Sequence, residues 1–292
     1  MIEIFHVSDL HYGRKKGVTE FLAQIIGKHK IGEISNRYLI VTGDITQDGK
    51  MRQYEKAGNN LAKFGKSVRI VPGNHDYGPL GFIYKEKRAH YFDSYLMKKV
   101  GVRHTYFQKL PFYELLQDEQ GNKVLIIGLN SSTQTEDWFD IAKGEIGEKQ
   151  LRELSNILSK KEYEKVPKVV FLHHIPHRRA KGIGMSLKDF KKLMDIVDKK
   201  VDALAFGHQG TMKEVSEQDI KDLKLSEQEL KKFESIKKMS LLTSEMKLRS
   251  GKGHGIRYYL DANDSVQNLS FYHIKVDGNK LSARLERIAH NK

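Results

Sequence analysis

Cysteine is missing from all 292 residues. Disulfides and thiolate metal sites are therefore excluded, and a bound metal must draw on His, Asp, Glu, Asn or water. No apolar run is long enough to cross a bilayer, and the amino-terminal MIEIFHVSDLH enters a strand-like pattern without a basic segment or a long apolar core. A cytoplasmic protein without a transmembrane segment is the expectation. Tryptophan occurs once, as Trp138, beside Phe139 in the loop-like TQTEDWFD, where the pair either stacks on a base or anchors the loop. Acidic residues are outnumbered: 37 Asp and Glu against 51 Lys and Arg leave a formal net charge of +14. That excess suits a phosphate-rich partner such as nucleic acid, a nucleotide, a phosphorylated metabolite or an anionic membrane, but also a lysine-rich solvated surface.

The remaining composition, 39% hydrophobic and 30% charged, is that of a globular chain able to bury a core in one large α/β domain or two smaller ones. Short apolar runs predict strands at Ile2–Val7, Tyr38–Thr42, Val68–Val71, Val124–Leu129, Val169–Leu172 and Ala203–Phe206. Helices are expected between them. Phe190, Leu193, Met194 and Val197 share one helical face in Ser186–Lys199, as do Leu151, Leu154, Ile157 and Leu158 in Gln150–Ser159. The alternation points to a layered α/β domain. Lys213–Lys252 is highly charged and proline-free, with Leu230, Phe233 and Ile236 at helical spacing, and reads as a helical insertion or cap, or a solvated surface helix. Beyond it the pattern alternates in strand fashion, and Asp277-Gly278 suggests a terminal hairpin. No repeat or clear linker divides the chain.

Polar residues gather where strands end. SDLH follows the first strand with Asp9 and His11, TGD the second with Asp44, and PGNHD the third with Asn74, His75 and Asp76. LHHIPH follows the fifth with His173, His174 and His177, and GH the sixth with His208. Ligands of open α/β sheets bind beyond the carboxyl ends of strands, so five exits would deliver carboxylate, imidazole and amide to one edge. Each piece alone is also an ordinary turn; the repetition of histidine at strand exits is not. An oxygen and nitrogen set without sulfur suits Mn, Fe, Zn, Ni or Co and disfavours a calcium cage. A carboxylate shared by two cations would hold them about 3.5–4 Å apart, the spacing used for in-line attack at phosphorus.

The ordered blocks D-x-H, GD, GNHD, H and GH, with FGKSVRIVPGNHD and GEIGEKQLREL, resemble the calcineurin-like metallophosphoesterases across about Met1–Met212. The nearest branch is that of the cyclic-nucleotide and glycerophosphodiester phosphodiesterases. The resemblance implies a single domain over residues 1–292, a central β-sandwich flanked by helices, and the charged insertion at 213–252. It implies two divalent metal ions: Asp9, His11 and Asp44 would hold the first, and Asp44, Asn74, His173 and His208 the second. His75 would contact the phosphate or act as general acid, with Asp76 as its orienting partner. Strand phase favours His173 as the ligand, whereas counting back from Pro176 favours His174. The activity implied is hydrolysis of a phosphodiester or phosphomonoester by in-line attack of metal-activated water, on a phosphorylated small molecule or nucleotide. A nuclease acting on DNA or RNA is the alternative. The chain departs from the family at Gly210, where the pattern G-H-x-H has its last histidine. A water or His254 would complete the first metal site, or that metal would be weakly held, or the protein would be a metal-binding scaffold with little turnover.

Overall fold

Ile2–Val7 (β1) is buried on both faces because its alternate residues serve two different cores: Ile2 and Ile4 enter one, Phe5 and Val7 the other. The computed structural model describes residues 1–78, 81, 84–101, 111–132, 144–176, 187–208, 258–261, 265–268 and 270–288. β2 (Arg37–Thr42) and β3 (Val68–Val71) run parallel to β1 on one side. Antiparallel β9 (Ser270–Asp277) and β10 (Lys280–Arg287) extend the other side, giving the order β10-β9-β1-β2-β3. A second sheet has the order β4 (Phe112–Gln117), β5 (Lys123–Gly128), β6 (Lys168–Phe171), β7 (Ala203–Phe206) and β8 (Tyr258–Asp261). Only its β4–β5 pairing is antiparallel.

The two sheets pack face to face. Ile4, Ile40, Val71, Ile126, Phe171, Ala205 and Ile274 fill the space between them. Outside the first sheet lie the helices Val18–His29 and Met51–Leu61, whose Phe21, Leu22, Ile25, Tyr54 and Leu61 meet Phe5, Val7, Leu39 and Val41. Outside the second lie Glu148–Leu158 and Phe190–Val197, whose Leu151, Leu154, Leu193 and Val197 meet Leu125, Ile127, Val170 and Leu204. The result is four layers, helix–sheet–sheet–helix. Each fully buried aliphatic side chain contributes about 1.5–3 kcal/mol, enough to hold the strand ends in one arrangement.

The six expected strands fall on β1, β2, β3, β5, β6 and β7, and the Asp277-Gly278 turn closes the β9–β10 hairpin, with Gly278 at φ 57°. The helix expected over Ser186–Lys199 is the shorter Phe190–Val197. β4 has no clean sequence signature because it is an edge strand: Leu115, at 37% exposure, breaks its alternation. The charged stretch at 213–252 lies outside the described residues. No helix among those described is long and apolar enough to cross a membrane.

At the far end of β1 from the strand exits, His273 of β9 bridges two carboxylates. Its Nδ1 lies 2.6 Å from Glu286 Oε1, and its Nε2 lies 2.9 Å from Glu3 Oε1. Burial pushes the Glu286 carboxyl up, but hydrogen bonds from His273 and Arg284 outweigh it and hold the pKa at about 2. A depressed carboxyl stabilises the fold above its unfolded value, about 4.3, and the contribution is lost as pH falls from there through about 2. Glu286→Gln is expected to cost roughly 1–2 kcal/mol at pH 7 and to flatten that acid limb. Urea unfolding at a series of pH values checks it; an unchanged acid limb refutes the assignment.

Candidate metal centre

The strand exits that carry the polar blocks come from both sheets. β1, β2 and β3 deliver Asp9, His11, Asp44, Asn74 and His75, while β6 and β7 deliver His173 and His208. The site thus straddles the rim of a sandwich, the architecture that the resemblance implies, and not the edge of one open sheet. Backbone hydrogen bonds tie the exits together, from Asp9 N to Gly43 O (3.2 Å), His11 N to Asp44 O (2.8 Å) and Gly207 N to His173 O (3.0 Å). Asp9, His11, Asp44 and His208 all adopt positive φ, between 45° and 70°. Such backbone costs of order 1–3 kcal/mol per residue and persists where the surroundings over-determine it.

Glycines let these loops approach closely. A Cβ on Gly73 would lie 2.2 Å from Asp44 Oδ1, and one on Gly207 would lie 1.9 Å from Ser8 Oγ and 2.5 Å from Asp9 Oδ2. Gly207→Ala is therefore expected to displace Asp9 and cost about 1–3 kcal/mol of stability. Melting curves and a cation titration together check this; wild-type values in both would refute it.

Two groups of donor atoms result, each within 4.8 Å of one another: His11, Asp44 and His75, and Asp44, His173 and His208. In the second group His173 Nε2 lies 3.3 Å from Asp44 Oδ1, 3.0 Å from Asn74 Oδ1 and 2.9 Å from His208 Nδ1. The Asn74 amide nitrogen donates to Gly81 O (2.7 Å), so its oxygen is the atom that faces inward. His173 Nδ1 lies 2.8 Å from the Thr42 carbonyl, which can only accept, so this nitrogen carries the proton. His173 Nε2, Asp44 Oδ1, Asn74 Oδ1 and His208 Nδ1 are then four acceptor-capable atoms crowded together, and one proton among them serves one pair at a time. A divalent cation satisfies all four, and separations of about 3 Å are those of adjacent ligands around an ion at about 2.1 Å.

In the first group His11 Nε2 lies 3.7 Å from Asp44 Oδ2 and 3.9 Å from Asp9 Oδ1. Asp9 Oδ1 is buried and has no hydrogen-bond partner among the described residues. A carboxylate oxygen stranded in this way fits a cation that would occupy the space beside it. Asp9 is also tied to the β7 exit, since its Oδ2 accepts from His208 N at 3.3 Å. The His75 ring stands edge-on to His11 with centroids 4.9 Å apart.

The electrostatics match a cation-binding cluster. Burial pushes His173 down, but the Asp44 and Asp9 carboxylates outweigh it and raise the imidazole to about 9. Burial likewise opposes charge on Asp44, yet His173, His75 and His11 hold its carboxyl well below the usual range. Asp9 is raised by burial, and Asp44 adds to the rise. Burial drives His11 well down, leaving its imidazole neutral and able to ligate.

Two expectations need correction or choice. The carboxylate of Asp76 does not orient the His75 ring: His75 Nδ1 lies 2.8 Å from the carbonyl of Gln47. Asp76 instead accepts from Thr46 N and Oγ1 (2.8 and 2.9 Å), Ile45 N (3.2 Å) and Gly73 N (2.9 Å), bracing the loops that carry Asp44 and Asn74. Of the tandem histidines, His173 faces Asp44, whereas His174 Nδ1 lies 2.9 Å from Ser131 Oγ. His177, Gly210 and His254 fall outside the described residues. Ser131 was missed by sequence reasoning, although it occupies the exit of β5 in GLNSS and the same strand-end rule would have found it.

The family model described as calcineurin-like phosphoesterase matches residues 2–212. A curated relative, the 3',5'-cyclic adenosine monophosphate phosphodiesterase CpdA of Vibrio vulnificus (strain CMCP6), is 36% identical over 56 residues. That match spans 19% of this chain and 19% of the relative's length. Among solved structures, a dimetal phosphatase from Danio rerio aligns with a TM-score of 0.49 at 14% identity, covering 71% of this chain and 81% of that one. The NAD nucleotidase of Haemophilus influenzae aligns at 0.40 and 15% identity, covering 71% and 38%. The family match runs through every strand exit from Asp9 to His208, and the chain belongs to the calcineurin-like phosphoesterases.

Proposed function

We propose that the chain is a divalent-cation-dependent phosphoester hydrolase, acting on a phosphodiester or phosphomonoester of a small molecule or nucleotide. The observation that carries this reading is the placement of Asp44, whose Oδ2 faces His11 and whose Oδ1 faces His173. One carboxylate so placed would be shared by two cations, one held with Asp9 and His11 and the other with Asn74, His173 and His208. Cations bound there would supply Lewis-acid charge to a phosphoryl group and would lower the pKa of a nearby water.

The chain's own groups do the rest. Gln47 O holds His75 through Nδ1–H, so in the imidazolium form, with both ring nitrogens protonated, Nε2 would donate a hydrogen bond or proton to a phosphoryl or leaving oxygen. Asp76, clamped by backbone N–H groups, keeps Asp44 and Asn74 at fixed separation and acts as a positioning residue. Residues 1–292 are proposed as one domain, because β8, β9 and β10, all beyond residue 257, complete the two sheets.

A panel of phosphomonoesters, phosphodiesters, cyclic nucleotides and nucleic acids, assayed with Mn²⁺, Fe²⁺, Zn²⁺, Ni²⁺ or Co²⁺ against an Asp44→Asn control, tests the reading. Turnover of at least one ester above the control supports it. No turnover above the control leaves a metal-binding scaffold. The net charge of +14 makes nucleic acid a necessary arm of the panel. A nuclease would bind with steep salt dependence through counterion release, and a small-molecule phosphoesterase would not.

A further inference from the structure

The two adjacent histidines after β6 have their ring nitrogens in opposite settings, one fixed by a carbonyl and the other by a hydroxyl. Ser131 is fully buried at the exit of β5. Its Oγ lies 3.2 Å from His173 N, 3.0 Å from His174 N and 2.9 Å from His174 Nδ1. Both backbone N–H groups can only donate, and a serine oxygen has two acceptor lone pairs and one proton. The two amides occupy the lone pairs, so the hydroxyl proton must point at His174 Nδ1. That nitrogen is then the acceptor, and the His174 ring proton sits on Nε2. His173 is set the other way, because Thr42 O requires its Nδ1 to donate and leaves Nε2 as the atom that would face a cation. The His174 ring cannot readily rotate away: a Cβ at Gly144 would lie 2.3 Å from it, so the backbone there already closes on the ring.

We infer that Ser131 is a positioning residue that leaves His173 rather than His174 as the cation ligand, by fixing the His174 ring proton on Nε2 and pinning the backbone between the tandem histidines. The inference rests on the reading that Asp44, Asn74, His173 and His208 hold a cation. Loss of the hydroxyl would remove the acceptor shared by two buried amides and the donor it offers to His174 Nδ1, freeing the β6 exit to shift. Outer partners of metal-binding histidines commonly matter by 10–100-fold in metal affinity.

The test uses the full chain with ¹⁵N-labelled histidine. Long-range ¹H–¹⁵N spectra, metal-free and loaded with Zn²⁺, report which nitrogen of each ring is protonated, and isothermal titration with Mn²⁺ reports affinity. Wild type is expected to show His174 protonated at Nε2 in both states, and His173 protonated at Nδ1 when Zn²⁺ is bound. Ser131→Ala is expected to lose the fixed His174 tautomer and bind Mn²⁺ about 10–100-fold more weakly. Ser131→Thr, which keeps the hydroxyl, is expected to retain the His174 tautomer. Wild-type His174 protonated at Nδ1 alone would overturn the inference, even if no variant folds. Unchanged tautomer and affinity in Ser131→Ala would overturn it as well. Neither readout uses turnover: a chain that hydrolyses nothing yet shows both effects loses the hydrolase reading and keeps the assignment of Ser131.

Discussion

Asp44→Asn is expected to abolish cation binding at both donor groups together and to lower phosphoester turnover by on the order of 10³-fold or more. The size follows from sharing. Oδ2 lies 3.7 Å from His11 Nε2 and Oδ1 lies 3.3 Å from His173 Nε2, so no other side chain among the described residues belongs to both groups. An asparagine has nearly the same shape, but it removes the negative charge and turns one of the two acceptors into a donor. Whichever way the amide settles, one group faces N–H where it had a carboxylate oxygen. Without the charge, His173 also loses the main cause of its raised pKa. The metal-free fold should lose less than breaking a buried pair usually costs, about 3–5 kcal/mol, because Asp9 and Asp76 lose a like-charged neighbour. Titration calorimetry gives the decisive number: two-cation binding retained in Asp44→Asn would refute the shared-carboxylate arrangement.

Saturating Mn²⁺ or Zn²⁺ is expected to raise the melting temperature of the metal-free protein strongly and reversibly. Asp9, Asp44, His11, His173 and His208 are all buried, so the metal-free cluster holds ionisable groups away from water. A ligand that binds only the folded chain stabilises it by about 4.1 kcal/mol at one thousand times its dissociation constant. For a chain of this size, 1 kcal/mol moves the midpoint by roughly 2–4 °C, so each occupied site should add about 8–16 °C. Histidines of the unfolded chain will bind some Zn²⁺ and reduce the shift; Mn²⁺ is the cleaner probe. Scanning calorimetry before and after a chelator measures it. A shift that persists in Asp44→Asn would place the stabilising ion elsewhere.

The residues of the candidate site stand out in the sequence because they fall in blocks directly after apolar runs. Asp9, His11, Asp44, Asn74, His75 and His208 could each be picked out as the first polar residues beyond a buried strand. Strand phase and the count back from Pro176 disagree over His173 and His174, and the reason is geometric. β6 ends at Phe171, so the strand phase used to orient the tandem histidines no longer governs them. Their orientation depends on Thr42 O and Ser131 Oγ, which lie 131 and 42 residues away along the chain. Asp76 was misassigned for a similar reason: its neighbour in sequence, His75, is not its partner in space, and the backbone of Ile45 and Thr46 is.

The sequence by itself determined the strands that serve the site, the oxygen and nitrogen character of the candidate ligands and the family, since these depend on local pattern and residue type. Tertiary structure decided which atoms meet. The exits of β1–β3 and those of β6–β7 belong to different sheets, and nothing in either segment specifies their separation. Packing of Ile4, Ile40, Phe171 and Ala205 between the sheets brings His173 within reach of Asp44 and turns five separate strand ends into one centre.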